Sequence, residues 1–336
     1  MPRRLVRAIA TIFEKDNTAA GRSAGRNRKG SAADMDDSDQ DTKTKVVKGQ
    51  SAEAPESAAQ QTTSDTLQNE KKGAAPAEPR IDVASRCHVG RVRPRNEDSC
   101  ISFVSQSGGT EPLPLFGLFI VADGMGGHND GHRASKLVAR TVAKHVLESL
   151  YYSLLQEGHN GAPQPVQETM EQAVALANEA LSATGAVKEM GTTLTAAVIL
   201  GNRLFLVHVG DSRAYLMSEG ELSLITTDHT FVQALQDAGQ LTAEEAAIHP
   251  NRNLLYRSLM GDVMQEPVDV FTRSLPQQGT LVLCSDGLWG SVGEQTIAEI
   301  LDEDIDLQDK AQRLLDEALE AGGEDNITVI LAAFDY

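Results

Sequence analysis

Cysteine is scarce in this chain, and the three that occur do not pair. Cys87, Cys100 and Cys284 are an odd number with no Cys-x2-Cys spacing. That excludes a disulfide framework and a thiolate zinc site, and suits a reducing, cytoplasmic setting. Basic charge is short as well: 30 Lys and Arg against 48 Asp and Glu leave a formal net charge of −18. Nucleic acid and anionic membranes bind through basic surface and released counterions, so neither is an expected partner. No apolar run approaches the roughly 18 residues that span a bilayer. The amino-terminal MPRRLVRAIATIFEKDN is basic and partly apolar, but Arg7 interrupts it before signal-peptide length, and it reads as a frayed tail. There is no Walker loop, and DGMGGHNDG lacks the third glycine and strand–helix spacing of a dinucleotide fingerprint. No repeat of solenoid period occurs.

Large apolar residues are missing from Asn17 to about Arg80, where GRSAGRNRKGSAADMDDSDQDTKTK is typical. Such a segment cannot bury enough surface to offset its ordering entropy, so residues 1–80 are expected to be a disordered extension. Composition changes at Ile81, and one folded domain is expected over 81–336. Apolar runs predict strands around Ile101–Ser105, Phe116–Ala122, Thr192–Leu200, Leu204–Gly210, Ala214–Ser218, Leu222–Thr226, Val268–Leu275, Leu281–Ser285 and Ile327–Phe334. Short links between many of them favour antiparallel pairing. Helices are expected at His132–Gln156, where Val138, Val142, Val146 and Leu150 recur every fourth residue, and at Val166–Thr184, Gly293–Leu301 and Leu307–Ala321. Strand runs with helices grouped between them indicate α+β: antiparallel sheets covered by helices.

The strand ends carry the chemistry. LFGLFIVADGMGG runs into Asp123, FLVHVGDSR into Asp211 and LVLCSDGLWG into Asp286, while GGEDNITVIL places Asp325 just before a strand. One Asp-Gly after a strand is only a turn signal. Four acids at strand mouths, with Glu97 and Asp98 nearby, are another matter, because like charges brought together are costly unless a cation sits among them. Acids with no accompanying His or Cys set point to magnesium or manganese rather than zinc. Glycine beside the acid allows close backbone approach, so the Gly124 carbonyl is a candidate ligand too. Two such ions would lower the pKa of a shared water and yield hydroxide as a nucleophile.

In order and spacing, RVRPRNED, VADGMGGH, GTTLTAAVI, VGDSRAYL, LCSDGLWG and GGEDNITVIL resemble the protein phosphatase 2C-like family of metal-dependent serine/threonine phosphatases, in its bacterial form. The resemblance implies a four-layer α-β-β-α sandwich with a dinuclear Mn2+ or Mg2+ centre at one edge. It implies that Asp123 bridges both ions, with the Gly124 carbonyl, Asp286 and Asp325 on the first and Glu97 and Asp98 beside the second. Asp211, with Asp286, would hold a weaker third ion, and Arg93 would bind the substrate phosphate. Expected partners are phosphoproteins and a cognate serine/threonine kinase system. Met125 stands where animal members have a histidine proposed to protonate the leaving group, so no general acid is assigned. The stretch His229–Arg252 looks like the family's variable flap.

Two rival readings follow from the same residues. CHVGRVRPRNED contains Cys87-x5-Arg93, the spacing of a thiol phosphatase. That loop should run into a helix whose N–H groups hold the anion, whereas Arg93 is followed by Pro94 and then a strand-like NEDSCISFVS. Cys87 is therefore expected to be a small, half-buried strand residue. The other rival is a non-catalytic phosphoprotein sensor, which would have no need to keep every core acid. His132 is expected at a helix start, His208 as a surface or packed imidazole, Trp289 as core or rim packing, and Arg213 as a partner for a carboxylate.

Overall fold

Alternate positions of the central strands face different layers, which fixes the architecture. The computed structural model describes residues 79–126, 130–156, 165–185, 190–262 and 267–336. The expected disordered extension, apart from Pro79 and Arg80, lies outside the described residues, as does His128. In chain order the strands and helices are β1 (Arg80–His88), β2 (Ser99–Ser105), β3 (Phe116–Ala122), β4 (Gly124–Gly126), α1 (Gly131–Val146), α2 (Val166–Ala183), β5 (Met190–Thr192), β6 (Leu194–Leu200), β7 (Arg203–Val209), β8 (Arg213–Ser218) and β9 (Glu221–Leu224). They continue with α3 (Phe231–Asp237), α4 (Ala243–Ala247), β10 (Asp269–Ser274), β11 (Gln278–Cys284), α5 (Asp286–Val292), α6 (Glu294–Asp302), α7 (Leu307–Glu320) and β12 (Ile327–Asp335).

Two five-stranded antiparallel sheets run β1-β12-β11-β8-β9 and β10-β7-β6-β3-β2. On β3, Phe119 and Val121 join Ala197, Ile199, Leu283 and Ile330 in the core between the sheets. Phe116, Leu118, Ile120 and Ala122 point the other way, onto Val138, Val142 and Val146 of α1 and Met170, Val174 and Leu181 of α2. The second sheet likewise turns Val282, Val329 and Leu331 toward Ile297 of α6 and Leu314 and Ala318 of α7. The result is the expected four-layer α-β-β-α sandwich. Burying each of the larger side chains among them contributes about 1.5–3 kcal/mol. Among the described residues no helix is long and apolar enough to cross a membrane.

Three local departures have physical causes. Helix α1 does not run unbroken to Gln156: it widens into a π-helical turn at Leu147–Tyr151 and ends after one more turn at Tyr152–Leu154. The wider turn sets the Tyr151 ring 5.0 Å from Phe103 and 5.3 Å from Phe116, with its hydroxyl 2.9 Å from Ser105 Oγ. The strand expected at Thr192–Leu200 breaks at Thr193, whose backbone N–H and hydroxyl both serve Asp123. The segment RIDVASRCH, in which only Cys87 is expected as a strand residue, is a nine-residue edge strand paired with β12.

His208 is the packed imidazole, fully buried, with Nδ1 3.0 Å from Thr195 Oγ1 and Nε2 3.1 Å from the Thr227 carbonyl. Desolvation, helped by His229, lowers its pKa to about 3. The folded state keeps this ring neutral while the unfolded chain protonates it near 6.5, so its contribution to stability is lost as pH falls from 6.5 toward 3. The loss is about 1.4 kcal/mol per pH unit. In urea melts across that range, His208→Gln should lose stability on acidification less steeply than the wild type; parallel slopes would contradict this.

Candidate active site

One edge of the sandwich gathers strand ends from both sheets. Asp123 follows β3, Asp211 lies between β7 and β8, Asp286 follows β11 and Asp325 precedes β12. With Arg93, Glu97 and Gly124 they line a single cavity of about 710 Å3. Asp98 is the exception. It is buried outside that lining, with Oδ2 accepting a 2.8 Å hydrogen bond from Ser285 Oγ.

Local sequence explains these placements. A Cβ on Gly124 would collide with the Gly131 carbonyl, and one on Gly287 with the Asn326 carbonyl, so each Asp-Gly pair lets backbone press against backbone. Asp286 does not lie in a glycine-rich turn as expected; it is the first residue of α5, with Ser285 at the N-cap position. Three residues missed by sequence reasoning hold the acids. Thr193 Oγ1 accepts from the Asp123 N–H at 2.9 Å, Ser285 serves Asp98, and Asn326 Oδ1 accepts from the Glu97 N–H at 2.7 Å. The Asn326 amide also donates to the Val89 and Arg95 carbonyls. Each sits beside an acid or inside a motif already singled out, and a polar residue in a buried run was the available signal.

The acids sense one another. Desolvation and then the charges of Asp98, Asp286, Asp211 and Asp325 raise the pKa of Asp123 well above the carboxylate range. Asp211 and Asp286 are raised by burial and then by neighbouring acids, and burial pushes Asp98 up to about 7. Arg93 Nη2 donates to Asp325 Oδ2 at 2.6 Å, which raises the arginine's own pKa.

Does this set suit cations? Among the described residues no three His, Cys, Asp or Glu side chains stand close enough as they are to hold one. Yet Asp98 Oδ1 and Asp286 Oδ1 are buried with no hydrogen-bond partner, an arrangement that costs free energy in protein alone. Desolvated, mutually repelling oxygen donors with orphaned atoms fit hard divalent ions.

The sequence profile of protein phosphatase 2C matches residues 95–326. The chain belongs to the protein phosphatase 2C family. Among its relatives, serine/threonine protein phosphatase PstP of Mycobacterium tuberculosis is 39% identical over 261 residues, which is 76% of this chain and 46% of PstP. This chain thus spans about half of that relative's length. Serine/threonine phosphatase stp of Listeria monocytogenes is 36% identical over 250 residues, covering 74% of this chain and 94% of stp. A crystal structure of M. tuberculosis PstP superposes with a TM-score of 0.62 at 38% identity, covering 76% of this chain and 99% of that one. The PstP catalytic domain has also been solved in complex with two manganese ions, and superposes with a TM-score of 0.61 at 36% identity over 76% of this chain and 99% of that chain.

Other positions acquire roles within this protein phosphatase 2C fold. Met125 lies on β4, paired with Gly191 of β5, and contributes an apolar wall to the cavity. The expected flap at His229–Arg252 forms α3 and α4, capped by Thr230 and by a Thr242–Glu245 capping box. The residues that reach the cavity come just after it: Asn253, Leu254, Leu255, Ser258 and Met260. Arg213 pairs with Asp228 at 2.8 Å and Glu294 at 3.0 Å, as expected of a structural arginine, and lies 3.6 Å over the Trp289 ring. Trp289 does more than pack, because its Nε1 donates to the Asp211 carbonyl at 2.9 Å. His132 falls at the start of α1.

Cys87 is a strand residue of β1, but exposed rather than half-buried. A hydrogen bond with Cys100, then those from Thr328 and Asn96, outweigh desolvation and bring its thiol down to about 6. No helix follows Arg93, whose guanidinium is turned to Asp325. The thiolate therefore lacks the anion cradle that a thiol phosphatase requires.

Proposed function

We propose that this chain is a protein serine/threonine phosphatase that hydrolyses phosphoserine and phosphothreonine at a dinuclear manganese or magnesium centre and opposes serine/threonine kinases. The observation that carries this is one cavity, at the strand ends of both sheets, lined by two arginines and five carboxylates. The protein phosphatase 2C relatives support the same reaction. When bound, the two ions supply hydroxide from a shared water near neutral pH and offset charge on the phosphoryl oxygens.

The chain's own residues do the rest. Asp123 would be the ligand shared by both ions, with the Gly124 carbonyl, Asp286 and Asp325 holding the first, Glu97 and Asp98 serving the second directly or through its waters, and Asp211 with Asp286 able to hold a third, weaker one. Arg93 presents a planar fork that can grip two phosphoryl oxygens, and must give up Asp325 to do so. Met125 has no proton to give, so it cannot serve as general acid for the leaving alkoxide, and no residue is assigned that role. No side-chain nucleophile is used, and no phosphoenzyme forms.

Phosphopeptide hydrolysis with manganese or with chelator, for the wild type and Cys87→Ala, tests the reading. Turnover should require the metal, and Cys87→Ala should stay within about twofold of wild type, as expected for a surface substitution away from the reacting atoms. Metal-independent turnover abolished by Cys87→Ala would establish the thiol mechanism instead. Inactivity of the wild type toward every phosphopeptide in manganese would favour the sensor.

A further inference from the structure

The segment Arg91-Val92-Arg93-Pro94-Arg95 sets three arginines in five residues, two of which, Arg93 and Arg95, line the cavity, in a protein whose net charge is −18. Their guanidiniums are not equivalent. Arg93 is tied to Asp325 at 2.6 Å. Arg95 also lines the cavity and is exposed, yet among the described residues it has no carboxylate within 4.0 Å; its side-chain contact is His132 Nδ1, 3.3 Å from Nη1. Its backbone is fixed, because its carbonyl accepts from the Asn326 amide, the same side chain that holds Glu97. Pro94 stiffens the link between the two arginines. Among the described residues a guanidinium without a carboxylate partner thus stands on a fixed stretch of backbone beside Arg93, although acids abound on the neighbouring wall.

We infer that Arg95 forms a subsite for an anionic side chain, a carboxylate or a second phosphoryl group, flanking the phosphoresidue of the substrate. Because Arg93 and Arg95 line the same cavity two residues apart, the anion it meets is expected within two positions of the phosphoserine or phosphothreonine. Arg95 is a specificity residue and takes no part in bond breaking. The inference rests on the phosphatase reading above and names the substrate class for that site: acidic or multiply phosphorylated phosphopeptides.

The test uses the full chain in manganese with one phosphothreonine peptide in four forms, carrying Glu, Gln, Lys or phosphoserine at the two flanking positions on each side. The wild type should prefer the Glu and phosphoserine forms over Gln by about tenfold in kcat/KM, carried mainly by KM, with Lys poorest. The relative gain with Glu and phosphoserine tells which anion the subsite takes. Arg95→Gln should bring the ratios to near one, Arg95→Lys should retain part of them, and added salt should shrink them in the wild type. Arg91→Gln, which removes the same charge from a residue outside the cavity lining, should leave the ratios in place. The inference fails if Arg95→Gln keeps the preference, lowers all four peptides equally, or instead shifts the manganese concentration needed for activity, which would make Arg95 a counter-charge for the acids. Turnover without discrimination sinks this inference alone. No turnover of any peptide by the wild type sinks the phosphatase reading with it.

Discussion

Asp123→Asn lowers phosphopeptide turnover in manganese by about a thousandfold or more, to the level of the chelated wild type. The magnitude follows from what one pre-placed electrostatic group contributes in a water-poor site, about 10²–10³, compounded because on the proposed reading the same carboxylate would serve both ions. The substitution is nearly isosteric, and the hydrogen bond from the backbone N–H of residue 123 to Thr193 Oγ1 survives it. Stability should move the other way. Desolvation and four neighbouring acids disfavour a charge on Asp123, so a neutral amide relieves repulsion, and the metal-free variant should melt no lower than the metal-free wild type at pH 7. A variant that is inactive because it is unfolded would contradict this account, as would one that retains turnover.

Arg93→Ala is expected to lower kcat/KM by about a hundred- to a thousandfold, the range for losing one charged donor to the transferring group. Arg93→Lys should recover little, because a point charge cannot reproduce a planar fork. The structure adds a second, opposite effect. Arg93 is hydrogen-bonded to Asp325 and held cationic by it, so it competes with any ion for that carboxylate. Removing it should therefore reduce the manganese concentration needed for half-saturation even as turnover collapses. Titration calorimetry and phosphopeptide kinetics on the same preparation check both signs, and weaker metal binding by Arg93→Ala would contradict this reading of the ion pair.

The layers of the fold were legible because apolar runs such as FGLFIVA and ITVILAAFD are buried on both faces and leave no ambiguity about strand. The acids were legible because Asp123, Asp211 and Asp286 follow such runs and Asp325 comes just before one. Harder to see was β1, whose mixed burial and polar residues follow from its place at a sheet edge with a single partner, β12. DGLWGSV carries two glycines and reads as a turn, yet forms α5; packing of Leu288 against the outer core overrides their low helix propensity. The Arg93–Asp325 pair joins residues 232 positions apart, and the Ser285–Asp98 bond joins residues 187 apart. No local pattern encodes such meetings, because they depend on the pairing order of the strands.

Asp123 hangs from one sheet, Asp286 and Asp325 from the other, and Asp211 lies on the link that crosses between them, so the acid-lined edge is also a seam. An ion gripped from both sides would act as a rivet across it, coupling the cohesion of the sandwich to the supply of divalent metal. Starved of metal, the two β-layers would still be stitched at that rim by the Ser285–Asp98 and Glu97–Asn326 hydrogen bonds, but uncompensated carboxyl groups would push against those stitches and make the rim the first place from which the molecule opens.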